Sequence, residues 1–226
     1  MILNSHAKIN LTLSINKKFK KGLHNLQSIY CLVNLNDRII IKKINKKKDK
    51  ISFTGPFSNF VGSSNNSVLK VLKSMRNNKL INNFYSVKIY KKIPVFAGFG
   101  GGSSNASIVM KYLIKKKIKE KLLNKIINYV GSDLRLFVYN QGFLKNINEV
   151  EKLKKKQTLF FLLVYPKIKC STREVFSKVK KFSKKKFLVQ NNLKLKNKFI
   201  NEIKNSQNDL QSIVEKKHPI IRNILT

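Results

Sequence analysis

An α+β fold is predicted for this 226-residue chain from three observations. Residues 7–15 and 84–91 alternate apolar and polar side chains, the two-residue period of a half-buried strand. Residues 107–117 and 119–129 carry apolar side chains at helical spacing: Ile108, Val109, Tyr112 and Leu113 in the first, Leu122, Leu123, Ile126 and Ile127 in the second. Between the two kinds of segment lies Pro94-Val95-Phe96-Ala97-Gly98-Phe99-Gly100-Gly101-Gly102-Ser103-Ser104-Asn105-Ala106, which holds four of the nine glycines. Glycine lets a backbone turn tightly and lets N–H groups approach a ligand. A helix that opens just after such a run adds unpaired N–H donors and the positive end of its dipole. The combination is an anion cradle whose usual guest is phosphate.

The elements follow in order. Residues 7–15 form the first strand, with Lys8, Asn10, Thr12 and Ser14 on one face. A basic loop covers residues 17–21. Residues 37–44 and 51–54 read as a hairpin around the lysine-rich turn 45–50, and Gly55-Pro56 ends it. Asn65-Asn66-Ser67 opens an amphipathic helix over 67–76, asparagine and serine being good N-caps. Tyr85, Val87 and Ile89 share one face of the strand 84–91. Pro94 then fixes φ and discourages helix before the glycine run. After the two central helices comes Gly131-Ser132-Asp133-Leu134. Asp133 draws notice because the chain has only ten acidic residues. The continuous apolar run 158–165 reads as a central strand ended by Pro166. Ser171 or Thr172 caps the next helix, and further helices are expected near 194–203 and 209–217.

Composition bounds the partners. The net charge is +38, which taken alone points to nucleic acid. Arginine, however, accounts for only five of the 48 basic residues, and recognition of phosphates and bases recruits its planar fork. The lysines are spread along the chain among asparagine and isoleucine, the pattern of a compositional drift. Such a positive field still draws in anionic substrates. The apolar runs are too short to span a membrane, and the polar N-terminus lacks the form of a signal peptide. Cys31 and Cys170 give no disulfide framework and suit a reduced, cytoplasmic setting. The sequence leaves a homodimer open.

The glycine run excludes several phosphate binders. No Gly-Lys-Ser/Thr follows it, the protein-kinase segments are absent, and no acid stands where a Rossmann strand would carry one. Gly-Gly-Gly-Ser-Ser-Asn-Ala after Pro-x-x-Ala-Gly instead resembles the central signature of the GHMP small-molecule kinases. Ala7-Lys8-Ile9-Asn10-Leu11, Gly22-Leu23-His24-Asn25-Leu26-Gln27-Ser28, Gly131-Ser132-Asp133 and Ser171-Thr172-Arg173-Glu174-Val175-Phe176 are similar to further signatures of one GHMP branch. That branch phosphorylates 4-diphosphocytidyl-2-C-methyl-D-erythritol in isoprenoid precursor synthesis.

The resemblance implies a two-lobed fold. Residues 1–150 would form a lobe like the second domain of ribosomal protein S5 that binds ATP. Residues 151–226 would form part of a ferredoxin-like C-terminal lobe. The family continues into a third glycine-rich segment, so the C-terminal lobe is expected to be incomplete. The resemblance also implies roles for residues. Asp133 is the catalytic base and Lys8 its cationic partner. Lys91, Pro94, Ala97, Gly98, Gly100, Gly101, Gly102, Ser103, Ser104 and Asn66 bind ATP, with Ser104 a candidate Mg²⁺ ligand. Asn10, His24, Thr172 and Phe176 bind the substrate, His24 reading the cytosine edge and Phe176 stacking on its ring. Leu23 stands where the family has a stacking tyrosine, and stacking on an aromatic is worth about 1–3 kcal/mol per base. Arg135 stands where proline is usual. Three alternatives stay open: an inactive or partner-dependent GHMP remnant, a basic nucleic-acid-binding module, or a kinase of another acceptor such as mevalonate or homoserine. His24 and Phe176 argue against the last, and the scattered aromatics against the second.

Overall fold

The structure is a computed structural model that describes residues 1–19, 24–114, 118–153, 155–183 and 196–225. Gly22 and Leu23 of the glycine-leucine-histidine segment, Lys115 to Lys117 and the end of the basic run after Ser183 lie outside the described residues.

The described chain divides into two compact units. The first comprises Met1–Lys8, Leu32–Val95 and Phe99–Asn140, and the second Ile9–Cys31, Phe96–Gly98 and Gln141–Thr226. A single cut after residue 150 is therefore not what the chain shows. Val150 pairs with Leu144 inside a hairpin, so a boundary there would split a two-strand ladder.

In the first unit, β1 (Ile2–Asn10) pairs with the long β3 (His24–Ile44), which supplies its residues from Leu32 onward. β4 (Lys50–Thr54) and β5 (Phe84–Tyr90) complete the sheet. The expected hairpin of residues 37–44 with 51–54 is not formed. β5 lies between them, antiparallel to β3 from Arg38↔Tyr90 to Ile44↔Phe84 and parallel to β4 from Lys50↔Ser86 to Thr54↔Tyr90. Parallel strands need a crossover, and α1 (Ser67–Asn77) provides it. Arg76 on α1 holds this unit of structure together: Nη2 pairs with Asp49 at 3.0 Å and donates to Asn83 O, while the guanidinium lies 4.1 Å from the Phe84 ring centroid. α2 (Gly101–Leu113) and α3 (Glu120–Val130) follow. Leu3, Ile39, Val71, Leu72, Met75, Val87, Ile89, Val109, Ile126 and Ile127 form one buried core between sheet and helices. α2 begins at Gly101, earlier than the start near residue 107 read from apolar spacing. The glycines that break periodicity are thus the first helical turn.

In the second unit, the first part of β3 pairs antiparallel with β2 (Ser14–Lys18) and with β6 (Gln141–Asn146), and β6 forms a hairpin with β7 (Glu149–Lys152). Ile29, Phe143, Leu153 and Phe199 make a small core. α4 (Thr172–Ser177), α5 (Lys196–Lys204), α6 (Gln211–Lys217) and α7 (Pro219–Leu225) complete it.

Two strand expectations are corrected. The single strand over 7–15 is broken after Asn10, and Lys17 and Lys18 belong to β2 rather than to a loop. The break is a bulge: Leu11 N and Thr12 N both donate to Ile29 O, at 2.8 and 3.3 Å, while Ile29 N donates to Thr12 Oγ1 at 3.0 Å. The central strand over 158–165 is absent from the ladders. The Gln141 side chain caps the Gln157 backbone instead, Nε2 donating to Gln157 O at 2.6 Å and Oε1 accepting from Gln157 N at 2.8 Å. Phe160 and Leu162 are left 93% and 91% exposed, so the run has strand composition without a strand partner among the described residues. No helix among the described residues is long and apolar enough to cross a membrane.

Candidate active site

In the first unit the glycine run presents the start of α2. Gly100 caps it in the left-handed region, at φ +68°. A Cβ there would lie 2.9 Å from Phe137 Cζ and 3.8 Å from Lys8 Cε, so only glycine fits beneath that ring. Ser104 N is bonded to Gly100 O at 2.9 Å, and the N–H groups of Gly101, Gly102 and Ser103 precede it, where a helix offers no carbonyl. A Cβ on Gly102 would lie 3.5 Å from Ser67 Oγ, at the start of α1. Two helix N-termini, of eleven and thirteen residues, therefore meet at Gly102. Their dipoles sum where the glycines leave room for an anion.

β1 delivers Lys8 to the same place. Lys8 N donates to Phe99 O at 3.0 Å, and Ser104 Oγ donates to His6 O at 2.6 Å. The Ser5 hydroxyl sits 2.7 Å from Ser104 Oγ and 2.9 Å from Asn105 Oδ1. These bonds fix the register of β1 on the first turn of α2. Burial pushes the Lys8 pKa down from its ordinary value, and the Asp133 carboxylate pulls it partly back. Asp133 is thus within electrostatic reach of a buried ammonium that lies beside Gly100.

Asp133 stands in a short 3-10 turn, Ser132–Phe137, that leaves α3 at Gly131. Two cations tie that turn down. Buried Arg135, the departure from proline, donates from Nη2 to Asn124 Oδ1 on α3 at 3.0 Å. Lys111 of α2 donates to Phe137 O at 2.5 Å. The arginine fixes from one side what a proline would stiffen.

Lys91 is buried, paired with the fully buried Asp37 of β3. Asp37 Oδ1 also accepts from Lys92 N and Ile93 N, both at 2.8 Å. A Cβ on Gly101 would come within 3.2 Å of Lys91 Nζ and 3.1 Å of Ile93 Cγ2. The pair thus underlies the N-terminus of α2. Sequence reasoning misses Asp37; the available signal is its place as one of ten acids, just ahead of the apolar run Ile39-Ile40-Ile41. It also treats Ser67 only as a helix opener.

The remaining residues of the run and the capping positions separate. Ser104 is 3% exposed and its hydroxyl is spent on the β1 backbone, which turns it away from a metal. Asn66 caps α1 by accepting from Leu69 N at 3.0 Å and donates to Gly62 O and Ser63 O. Pro94 is buried, Ala97 half-buried and Gly98 exposed at φ +75°. No group of three or more His, Cys, Asp or Glu side chains gathers at a metal-binding distance among the described residues.

In the second unit His24 opens the described part of β3, paired with Lys18 of β2. It is 7% exposed, with ring centroids of Phe176 at 5.4 Å and Phe182 at 6.4 Å. Burial, and secondarily Lys18, lowers its pKa below the ordinary histidine value, so the ring is neutral at pH 7. His24 Nε2 is buried and has no hydrogen-bond partner among the described residues. Ser171, rather than Thr172, caps α4 and leaves Thr172 exposed. Asn10 Oδ1 accepts from Ser28 Oγ at 3.2 Å. Asp209, in the Asn-Asp-Leu segment, has a structural partner: its carboxylate accepts from Ile15 N at 2.7 Å.

A comparison with protein-family models finds no match. Among curated proteins, the chain is 37% identical over 227 residues to the 4-diphosphocytidyl-2-C-methyl-D-erythritol kinase of Pelagibacter ubique, covering 98% of this chain and 79% of that protein. It is 34% identical to the enzyme of the same name from Ureaplasma parvum, covering 98% and 86%. Among solved structures, a 4-(cytidine 5'-diphospho)-2C-methyl-D-erythritol kinase superposes with a TM-score of 0.68 at 20% identity, over 99% of this chain and 81% of that one. The Methanococcus jannaschii mevalonate kinase superposes at 0.51 with 15% identity, over 99% and 78%. The structural likenesses carry the GHMP kinase fold, and the sequence likenesses carry the branch: the chain belongs to the family of 4-diphosphocytidyl-2-C-methyl-D-erythritol kinases.

Proposed function

We propose that this chain transfers the γ-phosphoryl group of ATP to the free 2-hydroxyl of 4-diphosphocytidyl-2-C-methyl-D-erythritol, a step of the non-mevalonate route to isoprenoid precursors. The observation that carries the reading is the buried Lys8 side chain at the Gly100 start of α2, where the turn that bears Asp133 also packs through Phe137. Phosphoryl transfer asks the protein mainly for positioning and charge neutralisation. The N–H groups of Gly101, Gly102 and Ser103 hold the phosphates, the empty Cβ positions leaving them room to approach. Lys91, clamped by Asp37, keeps the first turn of α2 in place from below. Asn66 keeps the start of α1 in place, and Pro94, Ala97 and Gly98 shape the approach to the loop.

Asp133 accepts the proton of the acceptor hydroxyl as the new O–P bond forms and ADP departs with the electrons of the broken P–O bond. Lys8 sets a positive charge beside that carboxylate and neutralises charge on the transferred oxygens. Mg²⁺, when bound with the nucleotide, would supply further positive charge against the phosphates, and Ser103, beside the open donors, is the hydroxyl that would help to hold it. The second unit carries recognition of the cytidyl group, with His24 at the base edge, Phe176 at the ring, and Asn10 and Thr172 toward the polyol. Two free cysteines agree with a reducing cytoplasm.

Asp133→Asn tests the reading. Turnover falls by about 10²–10⁴-fold, the usual worth of a general base, while ATP affinity stays within twofold. Unchanged turnover in that variant overturns the mechanism.

A further inference from the structure

We propose that Phe182 is a specificity-determining residue, its ring supplying an aromatic face for the cytosine whose edge meets His24. The inference rests on the reading above for the identity of the base, and it adds a residue that no motif identified.

Phe182 lies in a run of lysines and is 42% exposed. A phenyl ring gains little by standing in water among cations, and here it is not tucked into the small core of its unit. Nor is its backbone loose. Ser183 N donates to Ile15 O at 2.8 Å, and Asn16 Nδ2 donates to Ser183 O at 3.4 Å. The residue after the ring is therefore bonded to β2, the strand whose Lys18 pairs with His24. The result is a ring held 6.4 Å from the imidazole and inclined to it by only 28°, while Phe176 lies 5.4 Å away at 33°.

Three features now coincide: an exposed ring anchored by backbone bonds, a second half-buried ring, and a buried imidazole nitrogen without a partner among the described residues. A buried unpaired nitrogen is costly to leave in that state. A flat heteroaromatic whose edge carries hydrogen-bonding groups satisfies it while stacking on phenyl, which is the chemistry of a nucleobase. The imidazole is neutral, so it reads an edge rather than an anion, and neighbouring Lys18 supplies positive charge for the diphosphate. Phe182 thereby offers from a distant segment the aromatic surface that Leu23 does not.

The test uses the full-length chain with Phe182→Ala, Phe182→Leu and Phe182→Tyr at one fixed salt concentration. CDP binding is measured by calorimetry, together with KM and kcat. Phe182→Ala weakens CDP binding and raises the KM for the cytidyl substrate by about 5–150-fold, as the loss of one stacked face predicts, while kcat and the KM for ATP stay within twofold. Phe182→Tyr keeps CDP affinity near the wild-type value, and Phe182→Leu does not. CDP affinity within twofold of wild type in Phe182→Ala overturns the proposal, as does full recovery by leucine, which would reduce the ring to apolar cover. CDP binding needs no phosphoryl transfer, so failure of the Asp133 mechanism and failure of this inference are read separately.

Discussion

In the first unit Lys8, Asp133 and the start of α2 are fixed by a core that runs from Leu3 to Leu134 and by a buried ion pair beneath the helix. In the second, His24 and the rings beside it lie outside the small core of Ile29, Phe143, Leu153 and Phe199, and an apolar run stays outside any ladder among the described residues. The two chemistries ask for different support. In-line transfer loses rate when groups shift by about an ångström, and its proposed members sit on β1, on the first turn of α2 and on a turn that Arg135 and Lys111 pin. A flat base stacked on phenyl tolerates looser placement, because every base offers a π-face.

The largest test of this contrast is Asp133→Asn, whose loss of about 10²–10⁴-fold in kcat should leave CDP affinity unchanged. A parallel loss of CDP binding would erase the division of labour. Next in size is Asp37→Asn. It leaves the Lys91 ammonium buried without its counter-charge and should cost about 3–5 kcal/mol in urea unfolding. Adding Lys91→Met should recover more than half of that, because the amide oxygen introduced by the first change can still accept from Lys92 N and Ile93 N. No recovery would mean that the ammonium is itself required under α2.

The motifs around Lys8, Gly100 to Gly102, Asp133, His24 and Phe176 were legible because each is short and local. The α+β class was legible from periodicity. Topology was not. Residues 37–44 and 51–54 have good strand composition, but nothing in either announces that β5 will pair between them after a helical crossover. Residues 158–165 show the converse: apolar content gives the tendency to extend, while a strand also needs a partner with unpaired N–H and C=O groups. The helix start at Gly101 was hidden because glycine disfavours helix interiors, yet costs little where the first turn must stay open. Phe182 was hidden among lysines, where only its position against His24 gives it meaning.

The pH profile tests the first unit alone. Burial lowers the Lys8 pKa, and Asp133 offsets only part of that. In the proposed reaction the ammonium is the working form, so kcat is full below that lowered value and is lost as pH rises through it. The alkaline limb of kcat should therefore fall below the ordinary lysine value of 10.5. CDP affinity should not follow it. A kcat that holds flat up to that value would show that turnover does not need a cation at Lys8.

The smallest effect concerns Phe96, which precedes the glycines. Phe96 adopts φ +62°, a region that bulky side chains avoid, and its carbonyl accepts from Cys170 N at 2.9 Å. A Cβ in that region costs about 1–2 kcal/mol. Glycine removes the strain but adds about 0.5–1 kcal/mol of unfolded-chain entropy. Phe96→Gly should therefore stabilise by no more than about 1.5 kcal/mol, a rise of a few degrees in Tm for a chain of this size. Turnover should stay within twofold, because the donors to phosphate begin at Gly101. A fall in kcat with a rise in Tm would instead show that the strained backbone at Phe96 sets the shape of the nest.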